Sequence, residues 1–190
     1  MIAQAFLGLA TAFGLSTSAG LNAYIPLLVV ALLGRFTPLI TLDEPYDALT
    51  SWWVIGTLIV LLIVEILVDK IPAVDTVNDI IQTFIRPTAG ALLFAATTNT
   101  IGLHPVLAAL CGVLLAGGVH AVKAGGRPVV ASMTAGAGNP IVSTIEDTIS
   151  LVVSVLAIVA PYLVVGLLLT TLALLTWWYV RRRQRQSTQL

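Results

Sequence analysis

The chain has 190 residues, 58% of them hydrophobic and 9% charged, with a mean hydropathy of +1.01 and a formal net charge of zero. A soluble domain carries about a quarter charged residues, so a water-dissolved globule is excluded, and an all-α polytopic transmembrane bundle is the economical architecture. The single cysteine, Cys111, sits in an apolar run, which excludes a disulfide framework and a multi-cysteine metal site.

Taken from the N-terminus, no charge occurs before Arg35, so the first residues lack the basic start of a signal peptide and read as mature structure. Residues 1–34 are too long for one straight crossing of about 20 residues. Their middle, Gly14-Leu15-Ser16-Thr17-Ser18-Ala19-Gly20-Leu21-Asn22, is loosened by glycine and competing hydroxyls, and Pro26 follows. Two half-length helices joined by a polar break are expected. Residues 35–51 hold Asp43, Glu44, Pro45 and Asp47 and form an aqueous loop, after which Trp52 and Trp53 open a clean span that ends at Asp69 and Lys70. Pro72 then stops or redirects the chain.

Residues 73–86 alternate Val74, Val77, Ile81 and Phe84 with Asp75, Asn78, Asp79 and Gln82 at near-helical spacing, which predicts an amphipathic helix lying at the membrane interface. Residues 88–102 and 106–121 read as a hairpin of two short apolar helices turning at Leu103-His104-Pro105. Along the second, Ala108, Gly112, Ala116 and His120 share one face, where small residues let another helix approach. Residues 123–127 form a basic, glycine-rich loop. Residues 128–143, with Ser132, Thr134, Gly136, Gly138, Asn139 and Pro140, are too irregular for a lipid-facing helix and are assigned to a re-entrant or broken segment. The stretch 145–180 would be roughly 54 Å long as one helix, so Pro161 divides it in two.

The fold expectation is therefore a bundle of about six membrane helices with broken or re-entrant segments and an interfacial amphipathic helix. Residues 1–180 form one transmembrane domain and 181–190 a basic tail. Three cytoplasm-facing hairpins place Lys70, Arg86, Lys123, Arg127 and the tail arginines inside and leave Arg35 outside, as the positive-inside tendency requires. Trp177, Trp178 and Tyr179 precede the tail as an interfacial belt, which argues for a membrane anchor and against nucleic-acid binding. Ser16 to Gly20 and Ser132 to Gly136 echo one another weakly, as in transporters built from repeats.

Chemistry-bearing residues gather toward the predicted inner side. Glu65 interrupts an apolar span, and a carboxylate in lipid costs about 3 kcal/mol or more, so it should face the bundle or a hydrated cavity. Glu65 and Asp69, and likewise Asp75 and Asp79, are four residues apart and share a helix face; Pro72 folds the two pairs together into an oxygen-rich pocket suited to a divalent cation or to proton exchange. Thr76-Val77-Asn78-Asp79 and Ser143-Thr144-Ile145-Glu146 also fit helix capping, with Asp147 beside the second. His120 ends the small-residue face, and histidine is the side chain able to change charge near neutral pH. Arg86-Pro87 and Arg127-Pro128 suit anion binding at a helix start or simple membrane anchoring. The candidate pathway comprises Ser16, Ser18, Asn22, Glu65, Asp69, Asp75, Asp79, His120, Arg127, Ser132, Thr134, Asn139, Glu146 and Asp147. Expected partners are the lipid bilayer and a small solute, ion or lipid head group, and the small-residue face would serve a homo-oligomer.

No Walker A loop, His-Glu-x-x-His or Gly-x-Ser-x-Gly occurs. The expected function is a small secondary transporter or channel-like permease for a cation or a proton-coupled solute. Two alternatives stand beside it: a membrane enzyme acting on a lipid phosphate, with serine nucleophile, His120 base and Arg127 clamp, and a structural membrane subunit. The combination of Gly14 to Tyr24, Asp69-Lys70-Ile71-Pro72 with Asp75 and Asp79, Arg86-Pro87, and Gly138-Asn139-Pro140 before Glu146-Asp147 resembles an uncharacterised bacterial integral-membrane family, domain of unknown function 4126. That resemblance implies a bacterial inner-membrane protein and supplies no substrate.

Overall fold

The computed structural model describes residues 2–69, 72–134 and 138–163, then 166, 170, 171, 173, 174, 176–179 and 181; for 72–77 and 131 it describes the backbone alone. Among the described residues α1 Ile2–Leu21, α2 Tyr24–Phe36, α3 Trp52–Val68, α4 Pro72–Thr98, α5 Pro105–Thr134 and α6 Asn139–Val159 follow in order, with 3-10 turns at Tyr46–Thr50 and Asn99–Ile101, and the described residues from 161 to 181 are helical as well. Among the described residues, α1, α5, α6 and the 78–101 portion of the chain are long and apolar enough to cross a membrane, while α2 and α3 are shorter apolar helices. The fold is an all-α membrane bundle.

The chain breaks where Asn22 can cap it. Asn22 Oδ1 accepts from the backbone N–H groups of Tyr24 and Ile25 at 3.0 and 3.1 Å, so α2 starts on a side-chain cap. The Ser16-Thr17-Ser18 stretch lies inside α1, and α1 is a full 20 residues long rather than half a crossing. Its hydroxyls do not disrupt the helix because Ser16 and Ser18 bond to neighbouring helices.

Two further expectations are corrected. Residues 73–86 are no separate interfacial helix, since α4 runs 27 residues through Pro87. Its polar face also turns inward: Gln82 and Arg86 are buried, and Ile80, Ile81 and Phe84 are exposed toward the apolar side. Residues 123–127 are no loop, because α5 runs 30 residues through Pro128. Within residues 128–143 the helix is interrupted: 128–134 finish α5 and Asn139 begins α6, and 135–137 lie outside the described residues. A proline removes one helical hydrogen bond and so reads as a terminus in water, but in a bundle the surrounding helices hold the kinked turn in place.

Antiparallel neighbours bring the C-terminal end of one helix beside the N-terminal end of the next. The α4–α5 hairpin turns at Gly102, whose φ of 72° is the left-handed conformation glycine tolerates. Within it Gly90 and Gly112 face each other so closely that a Cβ on Gly112 would strike the Gly90 carbonyl. A Cβ on Gly20 of α1 would lie 2.6 Å from the Ala116 carbonyl of α5. The small-residue face from Ala108 to His120 is thus consumed within the chain, locking α1, α4 and α5. α6 packs mainly on α1 and α2, and α3 closes against α2 and α4.

Candidate functional site

The C-terminal ends of α1 and α3, the first half of α4, the last half of α5 and the start of α6 meet at one end of the bundle, and the buried charge collects there. Arg86 is fully buried and donates to Glu65 Oε1 at 3.1 Å. It also donates to His120 Nδ1 at 3.1 Å. Guanidinium has no acceptor, so Nδ1 must be the lone-pair nitrogen, and His120 is the neutral tautomer carrying its proton on Nε2. That proton points at Thr83 Oγ1, 3.0 Å away, and the Thr83 hydroxyl in turn donates to the Asp79 carbonyl. The hydrogen bonds therefore hold the imidazole neutral.

A second branch centres on Arg127. Its Nη1 lies 3.0 Å from Asp79 Oδ2, and its Nη2 lies 3.4 Å from Asp69 Oδ2 and 3.6 Å from Glu146 Oε2. Lys123 reaches the same Glu146 oxygen at 2.8 Å and donates to the Leu21 carbonyl at the end of α1, also at 2.8 Å. A cation at a helix C-terminus is favourable on both dipole and hydrogen-bonding grounds. Asp69, one residue past α3, also accepts from Ser143 at 2.6 Å and Asn78 at 3.0 Å. Asp147 is bonded by the amide of Asn22 at 2.9 Å.

Of the residues expected from sequence, Asn22, Glu65, Asp69, Asp79, His120, Arg127, Glu146 and Asp147 come together. The backbone of Asp75 is in α4 and its side chain lies outside the described residues. Ser132 and Thr134 are exposed and bond to their own helix, at the Val129 and Val130 carbonyls. Asn139 opens α6 with its Oδ1 unpartnered. Ser16 donates to the Gly90 carbonyl at 2.9 Å and Ser18 meets Ser150 and Ser154, so neither serine is hydrogen-bonded to His120 as a nucleophile needs. Among the described residues no group of three His, Cys, Asp or Glu side chains is placed to hold a metal ion. The acids expected to form an oxygen cage are separated by cations: Arg86 takes Glu65, and Arg127 stands between Asp69 and Asp79.

Arg86, Lys123, Ser143, Asn78 and Thr83 complete the network. For Asn78, Arg86 and Lys123 the signal was present as the polar positions 75, 78, 79, 82 and 86 on one face of α4 and 120, 123 and 127 on one face of α5. At the opposite end a cavity of about 1010 Å³ opens among Gln4, Thr11, Thr41, Thr97, Thr100 and Tyr162.

The model of one protein family covers residues 9–182. The chain belongs to that family, Domain of unknown function (DUF4126). No curated protein and no solved structure matches it. What distinguishes this DUF4126 protein is an acid-rich polar interior inside an apolar shell. Glu65, Asp69, Asp79 and Glu146 face the basic side chains of Arg86, Lys123 and Arg127, and Asp147 faces the Asn22 amide.

Proposed function

We propose that this protein is a small proton-coupled permease of the bacterial inner membrane. The observation that carries the reading is Asp147, a half-buried carboxyl on a membrane helix whose partner is the neutral Asn22 amide. An intramembrane carboxyl without a fixed cation is where a coupling proton is taken up and released. Glu65, Asp69, Asp79 and Glu146 already have basic partners, which fix the architecture around it. Arg86, Lys123 and Arg127 share one end of the bundle and Arg35 lies at the other, so the positive-inside bias supports a cytoplasmic side for the network, and the tail arginines support the same side for the C-terminus.

The test is purified protein in phosphatidylethanolamine–phosphatidylglycerol liposomes loaded with a pH-sensitive dye. Pools of amino acids, sugars, organic anions and inorganic cations are added outside, with and without an imposed membrane potential. A solute-dependent change in lumen pH, lost in Asp147→Asn, is the expected result. No change above empty liposomes for any pool, or an undiminished rate in Asp147→Asn, overturns the reading.

A further inference from the structure

We propose that Glu65, Gln82 and Arg86 hold one ordered water molecule between them, a binding site where α2, α3 and α4 meet inside the bundle. The site does not depend on the transport reading. Glu65 Oε2, Gln82 Oε1 and Arg86 Nε are buried and have no hydrogen-bond partner among the described residues. The three residues are 2%, 1% and 0% exposed, so bulk solvent does not reach them. Gln82 and Arg86 stand one turn apart on the same face of α4, and Arg86 is joined to Glu65 of α3 at 3.1 Å. From α2, Tyr24 lies beside the Gln82 amide and within electrostatic range of Glu65 and Arg86.

The unmet atoms follow from an ion pair that is half made. A guanidinium and a carboxylate in fork geometry form two parallel bonds. Here Arg86 Nη2 bonds to Glu65 Oε1, while Nη1 is turned to His120 Nδ1. What remains is a donor, Nε, on one member of the pair and an acceptor, Oε2, on the other. α4 packs closely on α1 and α5 but meets α2 and α3 sparsely, so this junction has room that the other interfaces of α4 lack. Gln82 and Arg86 also lie within the 78–101 portion that is apolar and long enough to cross a membrane, where hydrocarbon offers a polar atom nothing.

The mixture of unmet atoms selects the ligand. A cation would face the Nε–H of a permanent charge, and an anion would face two acceptor oxygens. A neutral molecule with both functions meets neither penalty. Water accepts from Arg86 Nε and donates to Glu65 Oε2 and Gln82 Oε1, the three bonds typical of a buried water. Turning the Gln82 amide over exchanges an acceptor for a donor at one corner only, and water, with two of each, still makes three bonds. Bound there, the water completes the join of α3 to α4 and ties Gln82 into it.

The experiment is X-ray hydroxyl-radical footprinting of the purified full chain in detergent micelles, read by mass spectrometry, because radiolysis of a bound water oxidises the side chains beside it. Tyr24, 8% exposed, is the reporter, and Phe94, buried in an apolar cluster with Ala12, Ala95 and Ala108, is the control. Tyr24 is expected to oxidise several-fold faster than Phe94 in the wild type. In Gln82→Leu, which removes an acceptor and sets methyl groups over the site, it falls to the rate of Phe94. Gln82→Met, similar in length and without the amide, takes the place of Gln82→Leu if that variant elutes as aggregate. A lipidic-phase crystal structure is expected to show one density peak within about 3.2 Å of both Arg86 Nε and Glu65 Oε2. A direct bond between Nε and Oε2 with no peak beside it overturns the site. So does Tyr24 oxidation no faster than that of Phe94, or undiminished in the Gln82 variant. Neither readout involves solute flux, so the water site and the permease reading fail separately.

Discussion

Replacing Glu65 by Gln removes the anion that neutralises Arg86 in the interior. The two charges are 3.1 Å apart, with side-chain exposures of 1% and 0%. At an effective dielectric of about 20, their attraction at this distance is about 5 kcal/mol. His120 still accepts from Arg86 in the variant, so the guanidinium keeps one partner but no counter-charge. A broken buried pair costs about 3–5 kcal/mol, and Glu65→Gln falls in that range. Arg86→Gln costs about the same, because it strands Glu65 and removes the donor to His120. The double variant Glu65→Gln/Arg86→Gln holds two neutral amides that can bond to each other, and its loss is smaller than the sum of the singles by about 3 kcal/mol. The measurement is equilibrium unfolding in mixed micelles under increasing dodecyl sulfate, followed by far-ultraviolet circular dichroism. Additive losses, agreeing within about 0.5 kcal/mol, would refute the claim that this pair is desolvated and coupled.

The same titration checks six more substitutions at four positions. Gly112→Ala drives a methyl group against the Gly90 carbonyl and to 2.7 Å from Ala91 Cα; backbone cannot step aside, and the loss is about 1–3 kcal/mol. Gly118→Ala, with nothing within 4 Å of its Cβ, leaves stability unchanged or slightly raised. Asn22→Ala uncaps α2 and costs about 1 kcal/mol, whereas Asn22→Asp keeps the cap acceptor but sets a second carboxylate against Asp147 and is the more damaging of the two. Arg127→Gln leaves Asp69, Asp79 and Glu146 around a neutral amide and loses about 3–5 kcal/mol. Arg127→Lys recovers only part of that, because a point charge cannot fork between two helices as a guanidinium does.

Much of this arrangement can be read from the residues. The 52–69 span, the hairpin at residues 103–105 and the small-residue face of α5 follow from apolar length and spacing alone. The cost of a lone carboxylate in lipid marks Glu65 as inward-facing, and it is 2% exposed. Prolines and glycines misled the reading, because their usual meaning is calibrated on chains in water. Pro87 and Pro128 sit within continuous helices, and Gly125 and Gly126 lie in α5 with open space around them. Amphipathicity misled in the same way. In water the polar side of 73–86 would face out, but with lipid outside, the side bearing Asn78, Asp79, Gln82 and Arg86 is the one that turns in. The pairing of Ser18 with Ser150 and Ser154 was not legible either, because it joins residues 132 and 136 positions apart, and no local pattern encodes which helix packs against which.

The distribution of partners along the chain sets an order of assembly. Glu65 emerges from the ribosome 21 residues before Arg86, its counter-charge. Asp69 precedes Arg127 by 58 residues and Ser143 by 74. During synthesis α3 and the residue that follows it therefore carry carboxylates whose partners have not yet been made, in a solvent that penalises them. They must wait at the translocon or the membrane surface until α4, α5 and α6 arrive. A chain truncated after α3 would accordingly be a poor membrane resident despite its apolar composition, and a substrate for quality-control proteolysis.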